Sequence, residues 1–330
     1  MAATHRGVRL YGALVLMVAL SAVVFWVIGF LPWVLAGFAL PPSLARGTAE
    51  GLAGVRLAVP LVVALLPQLV ASALIGGVLS GMVPIAFPRV PRLLGVVLTG
   101  CVVLLETTVL LVISRRALEQ HASVQIGGDQ RVIEGLVLAM VCASALGLAV
   151  GLAATVRHGL VAIAGALVAA AVPPWLAAFP GIGPGLLPDL VAAAALLAGL
   201  LVSVHRTRLS ALLWPLAFLV AWSGAPTAAA ARDVVSGLGP GAVEGLGTLV
   251  HRAGRVLVEH AGPSDQRWWP WALVAALAVI WLLRPRDARA TGRDDTATPA
   301  QDPSAPPGPA SRPAGRIAPE RGKHTATRRA

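Results

Sequence analysis

The sequence is dominated by long apolar runs that contain no charged side chain, the plainest being about thirty residues at 11–40. Crossing a ~30 Å hydrocarbon layer takes roughly 20 residues of helix, whereas apolar runs of about 10–14 residues are more typical of buried helices in soluble proteins. Inside a bilayer every backbone polar group must be satisfied within the chain, which leaves helices as the form for such single runs. The sequence therefore predicts an α-helical integral membrane protein.

Eight segments are apolar enough, or nearly long enough, to cross a membrane. They lie at 11–36, 57–82, 93–114, 133–155, 159–178, 187–204, 209–229 and 267–284. The chain is 57% hydrophobic and 12% charged, against about 25% charged residues in an average soluble domain. We expect an all-α fold, a polytopic integral membrane helical bundle of about eight transmembrane helices over 1–284.

The charge pattern predicts how the bundle sits in its membrane. The net charge is +11, with Arg concentrated in short connections and in the C-terminal tail. Basic residues at span ends hold helices in place and meet anionic headgroups, so we expect lipid contact rather than nucleic-acid binding. The first apolar run is twice as long as the 7–15 residue core of a signal peptide, which predicts an uncleaved first span.

Arg placement also predicts orientation, because cytoplasmic connections are enriched in basic residues. With the N-terminus inside, the turns near Arg89, Arg157, Arg206 and Arg284 are cytoplasmic, whereas Arg115 and its neighbour argue against this choice. We expect a multi-pass protein of the cell (plasma) membrane with both termini in the cytoplasm.

Two segments outside the spans have a distinct composition. At 241–260 apolar residues recur every three to four positions opposite charged ones, which predicts an extracytoplasmic amphipathic helix at the membrane interface or capping the bundle. At 285–330 a basic, proline-rich sequence has Ile317 as its only large aliphatic residue. Such a sequence buries too little apolar surface to fold, so it predicts a disordered cytoplasmic tail, free in solvent or touching anionic lipid.

The third span contains one acidic residue, Glu106, about halfway along its length. A charged side chain at that depth costs about 2.5–3.5 kcal/mol and usually faces the bundle interior. Thr99 lies seven residues before it and Ser114 eight residues after it, which places all three on one helix face. This polar seam fits either a proton or substrate path, or a protonated Glu106 that only fixes helix packing.

The second span carries a repeat of small and polar residues, Gln68, Ser72, Gly76 and Ser80. Residues at this spacing let helices approach closely and hydrogen-bond across the contact. Pro60 and Pro67 in the same span permit a kink. We interpret the face mainly as a packing surface and alternatively as the lining of a substrate path.

Other local patterns favour structural roles. Ala143, Gly147 and Gly151 predict a close contact of the fourth span with another helix, and Pro173-Pro174 predicts a break or kink in the fifth. Asp189 fits the first turn of the sixth span, where an acid is favourable. His251, Glu259 and His260 fit a solvated surface better than a metal site, and Cys101 and Cys142 fit packing residues within apolar runs.

These observations define two hypotheses for function. There is no phosphate-binding loop, zinc-protease motif or nucleophile elbow in the sequence, so we expect no enzyme and no cofactor. The first hypothesis is a non-enzymatic membrane component that supports envelope assembly, regulation or other membrane proteins. The alternative is a transporter or permease-like carrier that uses Glu106 and the Gln68–Ser80 face.

Overall fold

The computed structural model describes most of the apolar part of the chain. The described residues are 2–37, 59–120, 130–179, 181–182, 185–206, 208–236, 246–262, 272, 275–277 and 279. All regular secondary structure within these residues is helical. The predicted disordered tail at 285–330 lies outside them.

Within the described residues we label nine α-helices in chain order. They are α1 (Ala2–Val23), α2 (Leu31–Leu35), α3 (Leu66–Met82), α4 (Arg92–Gln120), α5 (Gln130–Val156), α6 (Val161–Leu176), α7 (Leu186–Arg206), α8 (Trp214–Ser236) and α9 (Leu246–Glu259). A π-helical turn, Val24–Gly29, extends α1, and short 3-10 turns lie at Val63–Leu65, Val83–Ala86, His158–Leu160 and Arg208–Leu213. Several spans are therefore an α-helix continued by a tighter or wider turn.

Seven of these helical segments are long and apolar enough to cross a membrane, each at a position where the sequence predicts a span. They are Leu10–Gly29, Val63–Ala86, Arg92–Ala117, Val132–Val156, His158–Leu176, Leu186–His205 and Ser210–Val235. The predicted fold class, a polytopic all-α membrane bundle, is confirmed. Of the eighth predicted span, 267–284, only 272, 275–277 and 279 are described, and these residues are helical.

The helix α3 is the centre of the bundle. It packs along α5 and also contacts α6, α4, α8 and the first span. The outer helices turn large apolar side chains away from the protein, as Leu105 of α4 does with 64% of its surface exposed. An apolar outer surface of this kind is suited to hydrocarbon.

The closest packing in the bundle joins α3 to α5 through glycines. A Cβ atom added to Gly77 would lie 2.7 Å from the Ser144 carbonyl oxygen, and one added to Gly81 would lie 2.9 Å from that of Leu148. On the opposite side, a Cβ added to Gly147 or Gly151 would overlap α3 backbone. The close contact predicted for the fourth span is therefore made, and its partner is the second span.

Two more glycine pairs join other helices. A Cβ added to Gly29 would lie 3.0 Å from the Cα of Gly76, and one added to Gly165 of α6 would lie 2.8 Å from the Cα of Gly199 of α7. The indole Nε1 of Trp175 donates a hydrogen bond of 3.0 Å to the Gly29 carbonyl oxygen. The first span is thus fixed to both α3 and the end of α6.

The prolines lie near the ends of α3 and α6. Helix α3 begins at Leu66, so Pro67 lies in its first turn and Pro60 precedes it; at this position a missing N–H costs no helical hydrogen bond. Pro67 therefore does not interrupt α3, and whether these prolines bend the second span, which changes from a 3-10 turn to α3 at Leu66, stays a prediction. Helix α6 continues through Pro173 and Pro174 and ends at Leu176, so its predicted break falls at the natural end of the helix instead.

The amphipathic helix predicted at 241–260 is described from Leu246 to Glu259 as α9. It packs on α8 through the buried Leu249, while Val258 leaves 72% of its surface exposed. Arg252 forms an ion pair with Asp233 of α8, with Nε 2.7 Å from Oδ2. One face of α9 therefore closes on the end of α8 and the other stays open.

Candidate functional site

Glu106 is half-buried on α4. Its Oε2 atom is buried and has no hydrogen-bond partner among the residues that the structure describes. The neighbouring hydroxyls of Thr107 and Thr108 donate instead to the carbonyl oxygens of Val103 and Leu104, each at 2.8 Å. Glu106 thus combines the position predicted from the sequence with an unsatisfied polar atom.

Thr99 and Ser114, which the sequence places on the same face as Glu106, belong to satisfied polar contacts. Both are fully buried. The Thr99 Oγ1 lies 3.3 Å from the Oγ of Ser21, and the Ser114 Oγ accepts a 3.1 Å hydrogen bond from the Val59 backbone N–H. These hydroxyls hold neighbouring segments together, and no hydrogen bond joins them to Glu106 within the described chain.

The Gln68–Ser80 face of α3 is divided between two environments. The Ser80 hydroxyl donates to the Ser21 carbonyl oxygen at 2.9 Å, and Gly76 packs against Gly29. By contrast, Gln68 Oε1 and Ser72 Oγ are buried without a partner among the described residues. Ser21, which links α1 to both α3 and α4, was missed by sequence reasoning, although it is a lone hydroxyl in an uncharged run.

A cavity of about 580 Å³ lies between α3, α5, α6 and α8. Its lining is mainly apolar, with Leu74, Cys142, Leu167 and Val220 contributed by the four helices in turn. We call it the intramembrane cavity, because all four lining helices are membrane-length. The sequence indicates this cavity only weakly, because small residues on three helices do not reveal which helix faces lie against each other.

Among the described residues, the hydroxyl groups in the lining of the intramembrane cavity come from Ser223 and Thr227 of α8. Ser223 donates to the Val220 carbonyl oxygen at 3.0 Å, and Thr227 donates to that of Ser223 at 2.6 Å. Both hydroxyl hydrogens are therefore used within the helix. A ligand in this cavity meets an apolar wall with no free hydroxyl donor on these two side chains.

A second cavity of about 370 Å³ adjoins the first. The two share lining residues from three helices, among them Pro67, Ala170 and Gly224. The second cavity adds three groups that the first lacks, namely Asp189 of α7, Arg232 of α8 and His260 after α9. We call it the polar end cavity. The adjoining spaces change from apolar to charged along the direction of α8.

The residues considered for a metal site line two different spaces. Within the described part of the chain, no three His, Cys, Asp or Glu side chains converge at metal-binding distance. His251 and Glu259 line a shallow groove on the open face of α9, while His260 lines the polar end cavity. Asp189 lies in the first turn of α7, where the sequence places it.

Comparison with protein-family models, curated proteins and solved structures finds no match for this chain. Its class follows from its own structure. Seven apolar helices of spanning length, packed through glycines around α3, define a multi-span α-helical membrane protein.

Proposed function

We propose that this chain is a non-enzymatic membrane component whose bundle binds the hydrocarbon tail of a lipid in the intramembrane cavity. The observation that carries the proposal is the cavity itself. Its volume of about 580 Å³ falls within the roughly 300–1,000 Å³ typical of small-molecule sites. Such a component would support or regulate other membrane proteins, or take part in envelope assembly, in a lipid-dependent way.

The chemistry of the lining favours a hydrocarbon tail over a polar substrate. A polar group placed in an apolar cavity loses its hydrogen bonds to water and needs replacements from the wall. Because Ser223 and Thr227 already donate within α8, they give a ligand no free hydrogen. An alkyl chain needs none and gains dispersion contacts with the wall.

The same lining supports a non-enzymatic role. Among the residues that the structure describes, it contains no carboxylate, histidine or basic side chain, so these residues offer no general acid or base. Its thiol, Cys142, has no charged neighbour within the lining to activate it, and thiol reactivity depends on such groups. Binding without chemistry is the function that these residues support best.

The test fills the cavity and measures the lipid that remains bound. Ala139 of α5 lines the cavity, whereas Ala145 of the same helix is exposed on another face. We expect Ala139→Trp to lower the amount of lipid that co-purifies with the protein about tenfold, a loss of ~1.4 kcal/mol in affinity. Native mass spectrometry of the detergent-purified protein measures the bound lipid.

Ala145→Trp is the matched control, since it adds the same side chain on the surface facing away from the cavity. It should keep the bound lipid of the unaltered protein. Equal lipid content in both variants, with both well folded by circular dichroism, would contradict the proposal. Loss in both would show that tryptophan at either site disturbs the bundle. The lipid bound to Cys142→Phe, which also fills the cavity, would then decide: a lower amount supports the proposal and an unchanged amount contradicts it.

A second candidate function, a proton-coupled carrier, is favoured by one specific observation. The Oε2 atom of Glu106 and the Oε1 atom of Gln68 are buried without partners in the described chain. Unsatisfied polar atoms at membrane depth are costly and often mark ion or substrate paths. In this candidate, Glu106 carries the proton and the Gln68–Ser80 face contacts the substrate.

A further inference from the structure

The polar end cavity places charges of both signs beside an apolar space. We propose that it holds the headgroup of a zwitterionic phospholipid, with the phosphate at Arg232 and the ammonium group at Asp189 and His260. This inference rests on the proposed function, because the tail of the same lipid occupies the intramembrane cavity. It adds the chemical class of the headgroup and the residues that select it.

The first step of the argument is that the two cavities belong together. Five lining residues are common to both, and they come from α3, α6 and α8. Ala228 is one of them, one helical turn before Arg232 on α8. One amphiphile with a tail among apolar side chains and a head among charged ones matches this arrangement.

The second step concerns the charge available to a phosphate. Arg232 has no ion pair or hydrogen bond to another described residue. The acid next to it, Asp233, pairs with Arg252 through distances of 2.7 and 2.8 Å and so has its own cation. The Arg232 guanidinium is therefore open to a phosphate, which it binds through two parallel hydrogen bonds.

The third step concerns the groups available to an ammonium. Asp189 is half-buried at the start of α7, and its carboxylate can only accept hydrogen bonds when ionised. The Nδ1 atom of His260 lies 2.9 Å from the Val256 carbonyl oxygen. Since a carbonyl only accepts, Nδ1 carries the hydrogen, and the Nε2 of the neutral ring is left as an acceptor. Both groups suit a donor such as a primary ammonium.

Other headgroups fit less well. An anionic lipid with a glycerol headgroup places its phosphate at Arg232 but gives Asp189 no cation. Diacylglycerol leaves both Arg232 and Asp189 without a charged partner. A zwitterionic head with a primary amine matches all three side chains, so the preference should be set by charge rather than by tail length.

The experiment compares three lipids with identical acyl chains, phosphatidylethanolamine, phosphatidylglycerol and diacylglycerol, on the full-length protein in detergent. Native mass spectrometry gives the relative affinity of each. We expect phosphatidylethanolamine to bind about tenfold more tightly than phosphatidylglycerol, the scale of one charge-assisted hydrogen bond. Asp189→Asn should remove that preference. Arg232→Gln should weaken the binding of phosphatidylethanolamine and phosphatidylglycerol, which both carry a phosphate, and leave that of diacylglycerol unchanged.

Glu259→Gln is the charge-matched control, because Glu259 lies at the same end of the molecule but lines a different groove. It should keep the preference. Soluble glycerophosphoethanolamine should fail to compete, since it lacks the tail. Equal affinity for all three lipids, with tail binding still blocked by Ala139→Trp, would overturn the headgroup site and leave the proposed function intact. If no lipid binds the unaltered protein, both are overturned.

Discussion

At the scale of single residues, Glu106 shares with Gln68 and Ser72 a buried polar atom that has no partner in the described chain, and this separates the three from other polar groups of the spans. Thr99, Ser80 and Ser114 are also buried, but each makes a hydrogen bond to another segment. Those hydroxyls are explained by packing. Glu106 is not, because its Oε2 has no partner among the described residues.

Glu106→Gln separates the two candidate functions. Glutamine keeps the size of the side chain and is uncharged, so we expect the midpoint of thermal unfolding to stay the same or rise. Removing an ionisable group at this depth relieves a cost of up to about 2.5–3.5 kcal/mol where that group is ionised. If the protein binds lipid as proposed, Glu106→Gln should also bind the same amount of lipid as the unaltered protein.

The measurement that decides is a pH-sensitive fluorescence assay in proteoliposomes. A proton-linked signal that disappears in Glu106→Gln but persists in Thr108→Val, a neighbouring exposed hydroxyl, would establish the carrier instead. If the signal is the same in the unaltered protein, Glu106→Gln and Thr108→Val, Glu106 carries no coupled proton, which agrees with the lipid-binding function.

Glu106 can be found from the sequence because the free-energy cost of a charged side chain depends on its depth within one apolar span, and that depth can be read from the sequence. Ser21 cannot be found in this way as the link between α1, α3 and α4, because that link depends on which helices meet. The same limit hides the intramembrane cavity, since Ala139 and Ala170 are ordinary small residues until four helices surround them.

At the scale of helices, the glycine contact between α3 and α5 determines how closely the centre of the bundle packs. Gly147→Ala should lower the free energy of unfolding by about 1–3 kcal/mol, the range for overpacked contacts, because its Cβ would overlap the backbone at Leu74. Scanning fluorimetry of the detergent-purified protein measures the change.

Gly100→Ala on α4 is the comparison, since its added Cβ would meet nothing closer than 3.9 Å. It should be neutral or slightly stabilising, because alanine favours helix over glycine. A shift of the same size in both variants would mean that the contact is looser than described.

The helices themselves are largely predictable, whereas their ends are not. Apolar length alone places the seven described spans, because a bilayer demands it. The effect of proline depends on where each helix begins, and neither Pro67 nor Pro173 interrupts one. Amphipathic spacing predicts α9, but its attachment to α8 through Leu249 and Arg252 requires the fold.

At the scale of the whole molecule, the predicted eight spans place both termini on one side. Single-cysteine variants in a background without Cys101 and Cys142 test this with a membrane-impermeant thiol reagent on intact cells. We expect Gly185→Cys to be labelled from outside, because it precedes α7 in a connection without basic residues. Arg89→Cys and Ala310→Cys should be labelled only after the cells are opened.

Labelling at position 310 from outside would mean an odd number of spans, and hence no membrane crossing at 267–284. Reversed labelling at all three positions would keep eight spans and invert the molecule. Both results leave the helices as described. The first keeps the polar end cavity outside and moves only the tail, whereas the second places that cavity on the cytoplasmic side.

The glycine contact also has a consequence for biosynthesis. Helices α3 and α5 meet through backbone surfaces, yet α4 and the segment after it separate them in sequence. While the ribosome is still translating α4, the surface around Gly77 and Gly81 has nothing to dock with. The core of the bundle therefore forms only after α5 has left the insertion machinery. Until then, we expect an insertase or chaperone to cover the exposed surface of α3.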